Sequence, residues 1–270
     1  MSTVRPGVNE HLAVLAQKAT LSNVDKGLIN VPLKTLMTRI GAEFDRYVVT
    51  RSEVFGAFAR DTRLPQAMDP QSDVDLMVVF RERGHPPAHY ISQLRQFAEL
   101  HYPRVSIHSD GQSLYLQLLQ ARFELVPAHE SVSGVQIPVK GGGFWVRTDP
   151  VEDLRGLQEK DKLHNGLLLP VIRLAKYWNA RAGHPLPSWD IEQRAVSHRF
   201  SFVPKNLKAY WFDFMRSLHG SPTMPLAKSE SIRQMRRTLD EIDQLTAANK
   251  SHEALAKIET LLPLPAKLLA

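Results

Sequence analysis

The sequence predicts an α+β protein, with a mixed sheet flanked by helices in residues 1–148 and a helical domain in residues 149–270. Three observations point that way. Short apolar runs over 73–80, 105–108, 114–119 and 123–126, broken by turn signals such as Asp110-Gly111, crowd the first half. After Asp149-Pro150 the apolar residues recur only at helical spacing. A hydrophobic content of 43% over 270 residues is ample for a real core, as one large domain or two closely packed ones.

Taken in order, residues 8–47 are helical in period, with Leu28, Val31, Leu33, Leu36, Ile40 and Phe44 on one broad face. Asn23 or Asp25 is placed to cap the longer helix, and Pro32 should kink or split it. Residues 54–80 read as an apolar start, a glycine turn, a polar loop containing Pro65, Asp69 and Pro70, and a buried strand. A helical stretch over 88–100 precedes the three short runs, which form a β-meander pattern. Ile137-Pro138 and Gly141-Gly142-Gly143, ahead of Phe144-Trp145-Val146, end the sheet, with the triple glycine as a flexible loop. Pro150 in a first turn capped by Asp149 opens the first helix of the second half. Leu168, Ile172, Ala175 and Trp178 supply the core of the second, over 167–180. Ser188 is placed to N-cap a third, ahead of Ile191 and Glu192. An aromatic-rich helix over 206–218 and two more, around Ile232 to Leu245 and over 252–262, complete the chain.

The chemistry gathers at 54–80. Asp73 and Asp75 are two apart on a strand, so they share a face about 7 Å apart, a spacing from which two carboxylates can converge on a hard cation such as Mg²⁺. Gly56, after Val54 and Phe55, lets backbone N–H groups approach an anion, and Arg60 and Arg63 add positive charge. Taken alone, an Asp-x-Asp before a strand is also what a solvated turn looks like. Glu124 lies inside an apolar strand, where an unpaired carboxylate is costly. Either it pairs with a base such as Arg122, or it completes a three-carboxylate site with Asp73 and Asp75, the geometry a two-metal centre requires.

Composition narrows the function classes. No run of about 18 apolar residues is present, so no membrane span is expected, and the first residues lack a signal-peptide core. The absence of cysteine excludes disulfides and thiolate zinc sites and is compatible with a cytoplasmic protein. The net charge of +6 suggests an anionic partner. Most of the surplus lies between Val171 and Arg216, where Arg173, Lys176, Arg181, Arg194, Arg199, Lys205, Lys208 and Arg216 face only Asp190, Glu192 and Asp213.

Four ordered motifs resemble one known family. They are Gly56-Ala-Phe-Ala-Arg-Asp-Thr with Ser72-Asp-Val-Asp-Leu-Met-Val-Val-Phe80, Glu124-Leu-Val-Pro-Ala128, Val171-Ile-Arg-Leu-Ala-Lys-Tyr-Trp178 and Pro187-Ser-Trp-Asp-Ile-Glu192. Together they resemble the oligoadenylate-synthetase-like branch of the DNA polymerase β nucleotidyltransferase superfamily, and within it the bacterial CD-NTases of antiphage defence. The resemblance covers residues 25 to 220 and implies a polymerase β-like nucleotidyltransferase core followed by a helical domain. It further implies that Asp73, Asp75 and Glu124 hold two Mg²⁺ ions, with Mn²⁺ as a substitute. Gly56, Ala57, Lys176 and Ser188 would grip the donor triphosphate, and Trp189 would lie near the base. Two residues depart from the family pattern. Ala57 stands where the family has Ser, removing a hydroxyl contact worth on the order of 1–3 kcal/mol, and Glu124 replaces the commoner Asp, with a longer arm to the metal.

The resemblance implies a Mg²⁺-dependent, template-independent enzyme that joins nucleoside triphosphates, ribo or deoxy, into a short linear or cyclic oligonucleotide. Its partners would be those triphosphates, the oligonucleotide product, a downstream effector protein and a second copy of the chain. The runner-up uses the same site to modify a protein or tRNA, which the basic second half would suit. A third reading keeps nucleotide binding and loses the chemistry through Ala57.

Overall fold

A seven-stranded mixed sheet organises the first half of the computed structural model, which describes residues 7–119, 121–132, 134–139, 143–200 and 204–265. The strands are β1 (Val49–Phe55), β2 (Asp73–Phe80), β3 (Ile107–Ser109), β4 (Leu114–Leu118), β5 (Ala121–Ser131), β6 (Gly134–Pro138) and β7 (Trp145–Thr148). Their order is β1-β2-β5-β4-β3, with β6 pairing the far end of β5 and β7 pairing β6. β2 and β5 run parallel at the centre; every other pair is antiparallel, including the β3-β4-β5 meander expected from the three short runs.

The alternation of side chains decides what each face of the sheet does. Val74, Leu76, Val78 and Phe80 of β2, with Phe123 and Leu125 of β5 and Leu114, Leu116 and Leu118 of β4, point into one core. Helices α2 (Asn23–Glu43) and α4 (Pro87–His101) close that core with Ile29, Leu33, Leu36 and Ile40, and with Tyr90, Leu94 and Phe97. The residues between them point to the opposite face. There Met77, Val79 and Ala128 form a small apolar cluster, and the acids occupy the other end of the same strands.

Helix α2 is not split at Pro32, which is buried, and its cap is Ser22 in a reciprocal box with Asp25, not Asn23 or Asp25. Buried residues on both sides of Pro32 hold it against the sheet, which outweighs the roughly 3 kcal/mol that an interior proline costs. Of the expected stripe, Leu33, Leu36 and Ile40 are buried and Phe44 packs against the same core, whereas Leu28 and Val31 are exposed and Ile29 is buried instead. Residues 141 and 142 of the expected glycine loop lie outside the described residues.

Two compact units are present: the sheet unit of residues 21–63 and 71–155, and a helical unit of residues 1–20, 64–70 and 156–270. The single boundary expected at 148/149 is therefore replaced by several crossings. Helix α1 (Val8–Lys18) belongs with the helices because its stripe of Leu12, Leu15 and Ala16 is buried in their core, and His11 Nε2 bonds the Leu262 carbonyl at 2.9 Å. Leu64 and Met68 join the same core. An amphipathic segment follows its apolar stripe, whatever its position in the chain.

The remaining helices are α5 (Pro150–Leu163), α6 (Leu168–Arg181), α7 (Ser188–Ser197), α8 (Leu207–Ser217), α9 (Leu226–Ala247) and α10 (Ser251–Leu261), while α3 (Gly56–Ala59) is one turn after β1. Asp149 caps α5 through the Glu152 N–H at 3.1 Å, as its position suggested. Ser188 does not cap α7; Pro187 holds that position and Ser188 is the first helical residue. Leu168, Val171, Ile172, Leu174 and Ala175 of α6 are fully buried. Among the described residues no helix is long and apolar enough to cross a membrane.

Candidate active site

The sheet register assembles the carboxylates. Parallel pairing of β2 with β5 sets Asp73 beside Arg122 and Asp75 beside Glu124, and antiparallel pairing of β4 with β5 sets Tyr115 beside Glu124. All five side chains alternate away from the apolar core, so they share the open face. Ligand oxygens of Asp73, Asp75 and Glu124 lie within 4.8 Å of one another. Three carboxylates at that spacing fit a hard dication, which takes oxygen ligands and offsets their repulsion.

Each acid has its own support. The Arg122 guanidinium donates to Asp73 Oδ2 at 2.9 Å and lies 5.2 Å from the centre of the Tyr115 ring. Arg122 therefore serves Asp73, not Glu124 as one of the two sequence alternatives had it. Glu124 Oε1 instead accepts from the Ser113 hydroxyl at 2.5 Å and from the Tyr115 hydroxyl at 3.1 Å. Asp110, whose carboxylate accepts the Gln112 and Ser113 N–H groups, lies 3.3 and 3.0 Å from the same two hydroxyls and shares their single protons with Glu124. These neutral donors orient Glu124 without cancelling its charge. Arg63, buried, donates to the Asp73 and Ser72 carbonyls at 2.8 and 3.1 Å and fixes the start of β2.

Gly56 is required by the acid it faces. Its φ is +67°, and a Cβ added there would stand 1.8 Å from Asp75 Oδ2. The adjacent Ala57 N–H donates to the same oxygen at 3.3 Å. Asp75 is thus the acid that approaches the Gly56 turn in this structure.

Crowding shows in the electrostatics. Burial, then the charges of Asp73 and Glu124, hold the Asp75 carboxyl well above its ordinary range, against the opposing pull of Arg60 and the Ala57 N–H. Burial and the Asp73 charge also raise Glu124, with Ser113 and Tyr115 acting in the other direction. Burial and the Glu124 charge push the Tyr115 phenol up, so it remains a donor.

Lys176, Ser188 and Trp189 belong to the helical unit. Lys176 is 5% exposed and forms a buried ion pair with Glu192 of α7. Ser188 starts α7 without bonding a backbone N–H there, and Trp189 beside it is 41% exposed. Sequence reasoning missed Ser113, Tyr115 and the link of Arg122 to Asp73. A signal was present: Tyr115 alternates with Leu114, Leu116 and Leu118, which marks it as facing the acids once the hairpin register is known.

The chain is similar to known proteins in sequence and fold. Residues 7–161 match the family described as Second Messenger Oligonucleotide or Dinucleotide Synthetase domain, SMODS. A probable cyclic nucleotide synthase of Bacillus cereus (strain VD146) is 24% identical over 205 residues, 62% of this chain and 59% of that relative's length. Among solved structures, the Escherichia coli MS115-1 CdnC structure with ATP superposes with a TM-score of 0.74 at 15% identity, covering 95% of this chain and 98% of that one. The Bradyrhizobium diazoefficiens CD-NTase CdnG in complex with GTP gives 0.66 at 12% identity, covering 93% and 97%. The polymerase β-like core expected from the motifs is the fold these structures share with the chain. With a family match across more than half its length, the chain belongs to the SMODS family.

Proposed function

We propose that the protein is a Mg²⁺-dependent, template-independent synthase that joins nucleoside triphosphates, ribo or deoxy, into a short linear or cyclic oligonucleotide. The product would act in cytoplasmic antiphage defence through a downstream effector protein. The observation that supports this reading best is the convergence of Asp73, Asp75 and Glu124 beside the Gly56 turn. It fits two-metal phosphoryl transfer, where positioning and electrostatics supply nearly all of the catalysis.

Asp73, Asp75 and Glu124 would hold two Mg²⁺ ions, with Mn²⁺ able to replace them. When bound, those ions would lower the pKa of the acceptor hydroxyl and neutralise the departing pyrophosphate. Glu124, oriented by Ser113 and Tyr115, would take the hydroxyl proton as the new phosphodiester forms and pyrophosphate leaves. Arg122 would hold Asp73 in its rotamer. Gly56 and the Ala57 N–H would receive the triphosphate once Asp75 turns to metal. From the helical unit, Lys176 and Ser188 would add triphosphate contacts and Trp189 a surface for the base, with Lys176 sharing its charge between Glu192 and phosphate.

The test is incubation of the pure protein with each labelled NTP and dNTP plus Mg²⁺, followed by separation of the products. Labelled oligonucleotides that disappear with chelator support the reading. Label carried onto protein or tRNA would replace it with macromolecule modification, and binding without turnover would mean that Ala57 has cost the chemistry.

A further inference from the structure

Glu82, His85 and His89 form a second set of metal-ligating side chains, each offering an atom within 4.8 Å of the other two. Glu82 and His85 lie in the loop past the end of β2 and His89 in the first turn of α4, all within the sheet unit. From Asp75 to Phe80 the strand alone spans about 17 Å, so this group is separate from the three carboxylates. We propose that Glu82, His85 and His89 bind a first-row transition-metal dication of the Zn²⁺ class, which fastens the 81–86 loop to the first turn of α4.

The ligand types select the ion. Two imidazoles and one carboxylate favour zinc-class ions over Mg²⁺, which prefers an all-oxygen shell. Two histidines with one glutamate also leave a fourth tetrahedral position for water.

The loop is shaped before any ion arrives. Gly84 turns the chain at a φ of +92°, and Pro86 and Pro87 stiffen the entry to α4. The buried Tyr90 hydroxyl donates to the Glu82 carbonyl at 3.0 Å, which pins the carboxylate-bearing residue above the helix. The two imidazole rings stack 4.1 Å apart at 22°. His85 Nε2 lies 2.9 Å from the Glu82 carboxylate, so two of the three ligands already touch.

A supporting shell is present as well. The Gln93 amide nitrogen lies 3.0 Å from His89 Nε2, and Gln93 Oε1 is buried without a partner. Turning the Gln93 amide over makes Oε1 the acceptor of an Nε2–H and leaves Nδ1 of His89 as the bare ligand nitrogen. Tetrahedral zinc needs ligand atoms about 3.3 Å apart. The ion must lie in the plane of each ligating ring, so binding turns the exposed Glu82 and half-buried His85 side chains and unstacks His85 from His89 as the three ligand atoms close to that distance.

The experiment uses the tag-free full chain, stripped with chelator, desalted and titrated with Co²⁺ as a spectroscopic stand-in. We expect one equivalent to give the ligand-field bands of four-coordinate Co²⁺. Zn²⁺ should displace it and excess Mg²⁺ should not. His85→Ala and His89→Ala should each abolish the bands, while Asp75→Asn keeps them. Gln93→Ala should weaken Co²⁺ binding roughly tenfold or more through the lost orientation of His89. His85 lies in the loop, half-exposed, so its variant reports on the site even if His89→Ala folds poorly. Bands unaffected by His85→Ala, bands lost in Asp75→Asn, or no bands at millimolar Co²⁺ would each overturn the proposal.

Discussion

Two groups of charge are withdrawn from water in this protein, and they are built on opposite principles. In the sheet unit, Asp73, Asp75 and Glu124 crowd like charges together, and two of the three carboxyls are held above their ordinary range. In the helical unit, Lys176 and Glu192 are buried more deeply but carry opposite charges in contact. The second arrangement suits a resting fold. The first costs stability, a cost that bound cations would offset, so the two groups answer to different conditions.

The largest effect should come from breaking the first group. Asp75→Asn is expected to lower Mg²⁺-dependent turnover by roughly 10³-fold, since the interaction it removes acts on charge in the transition state. In chelator the same variant should melt at least about 2 °C higher than the parent, because a repelled carboxylate has been neutralised. A calorimetric scan with EDTA and a turnover assay with Mg²⁺ read both effects. A loss of activity accompanied by a lower melting point would mean that Asp75 is structural.

Breaking the second group should move stability the other way. Lys176→Met leaves the buried Glu192 carboxylate without its ammonium partner and should cost about 3–5 kcal/mol in urea unfolding. Pairing it with Glu192→Leu should recover most of that loss. The recovered double variant then sharpens the comparison: a raised KM for nucleotide would give Lys176 a phosphate contact beyond its structural pair, and an unchanged KM would remove it.

A smaller effect distinguishes the groups by pH. Asp75 and Glu124 have raised carboxyls in the folded chain, so above the ordinary carboxylate range the folded state binds more protons than the unfolded one. The contribution of these two groups to stability in chelator should therefore be greatest in acid and decline as pH rises through the folded values. Mg²⁺ should flatten that slope. Urea midpoints across pH, with and without Mg²⁺, check it, and a slope unchanged by the ion would show that the carboxylates do not bind it.

The smallest expected change is at Ala57. Ala57→Ser adds one hydroxyl donor beside the backbone N–H and should strengthen triphosphate binding by about 1 kcal/mol, near fivefold, as read by calorimetric titration. No gain would mean that the turn presents position 57 away from the phosphates.

Much of the sheet unit was legible because period-two alternation makes it so. The strand over 73–80 and the meander needed no tertiary information, and neither did the shared face of Asp73 and Asp75. The partner of Glu124 was not legible. Whether Arg122 reaches Asp73 or Glu124 depends on the register of β2 against β5, two strands that are more than forty residues apart and joined by no tight turn. Helix α2 was misread in its details for a similar reason. Local rules flagged Pro32 as a break, yet packing on both sides of it decided the outcome. The Gly56 requirement was seen, while its cause, an Asp75 oxygen where a Cβ would stand, exists only in three dimensions.

The passage of the chain between its units bears on its biosynthesis. His11 leaves the ribosome early, but the carbonyl it bonds belongs to Leu262, and the core that buries Leu12 and Leu15 comes mostly from beyond residue 156. At ribosomal speeds the first helix waits roughly 10–50 s for its neighbours. During that interval its apolar stripe has no native cover, which makes it a natural client for a nascent-chain chaperone. The same threading means that no single cut yields two independent halves: a fragment ending near residue 155 would carry α1 with little of the core that buries it. To produce the sheet unit alone, the expressed chain would have to begin after residue 20 and carry a short linker in place of residues 64–70.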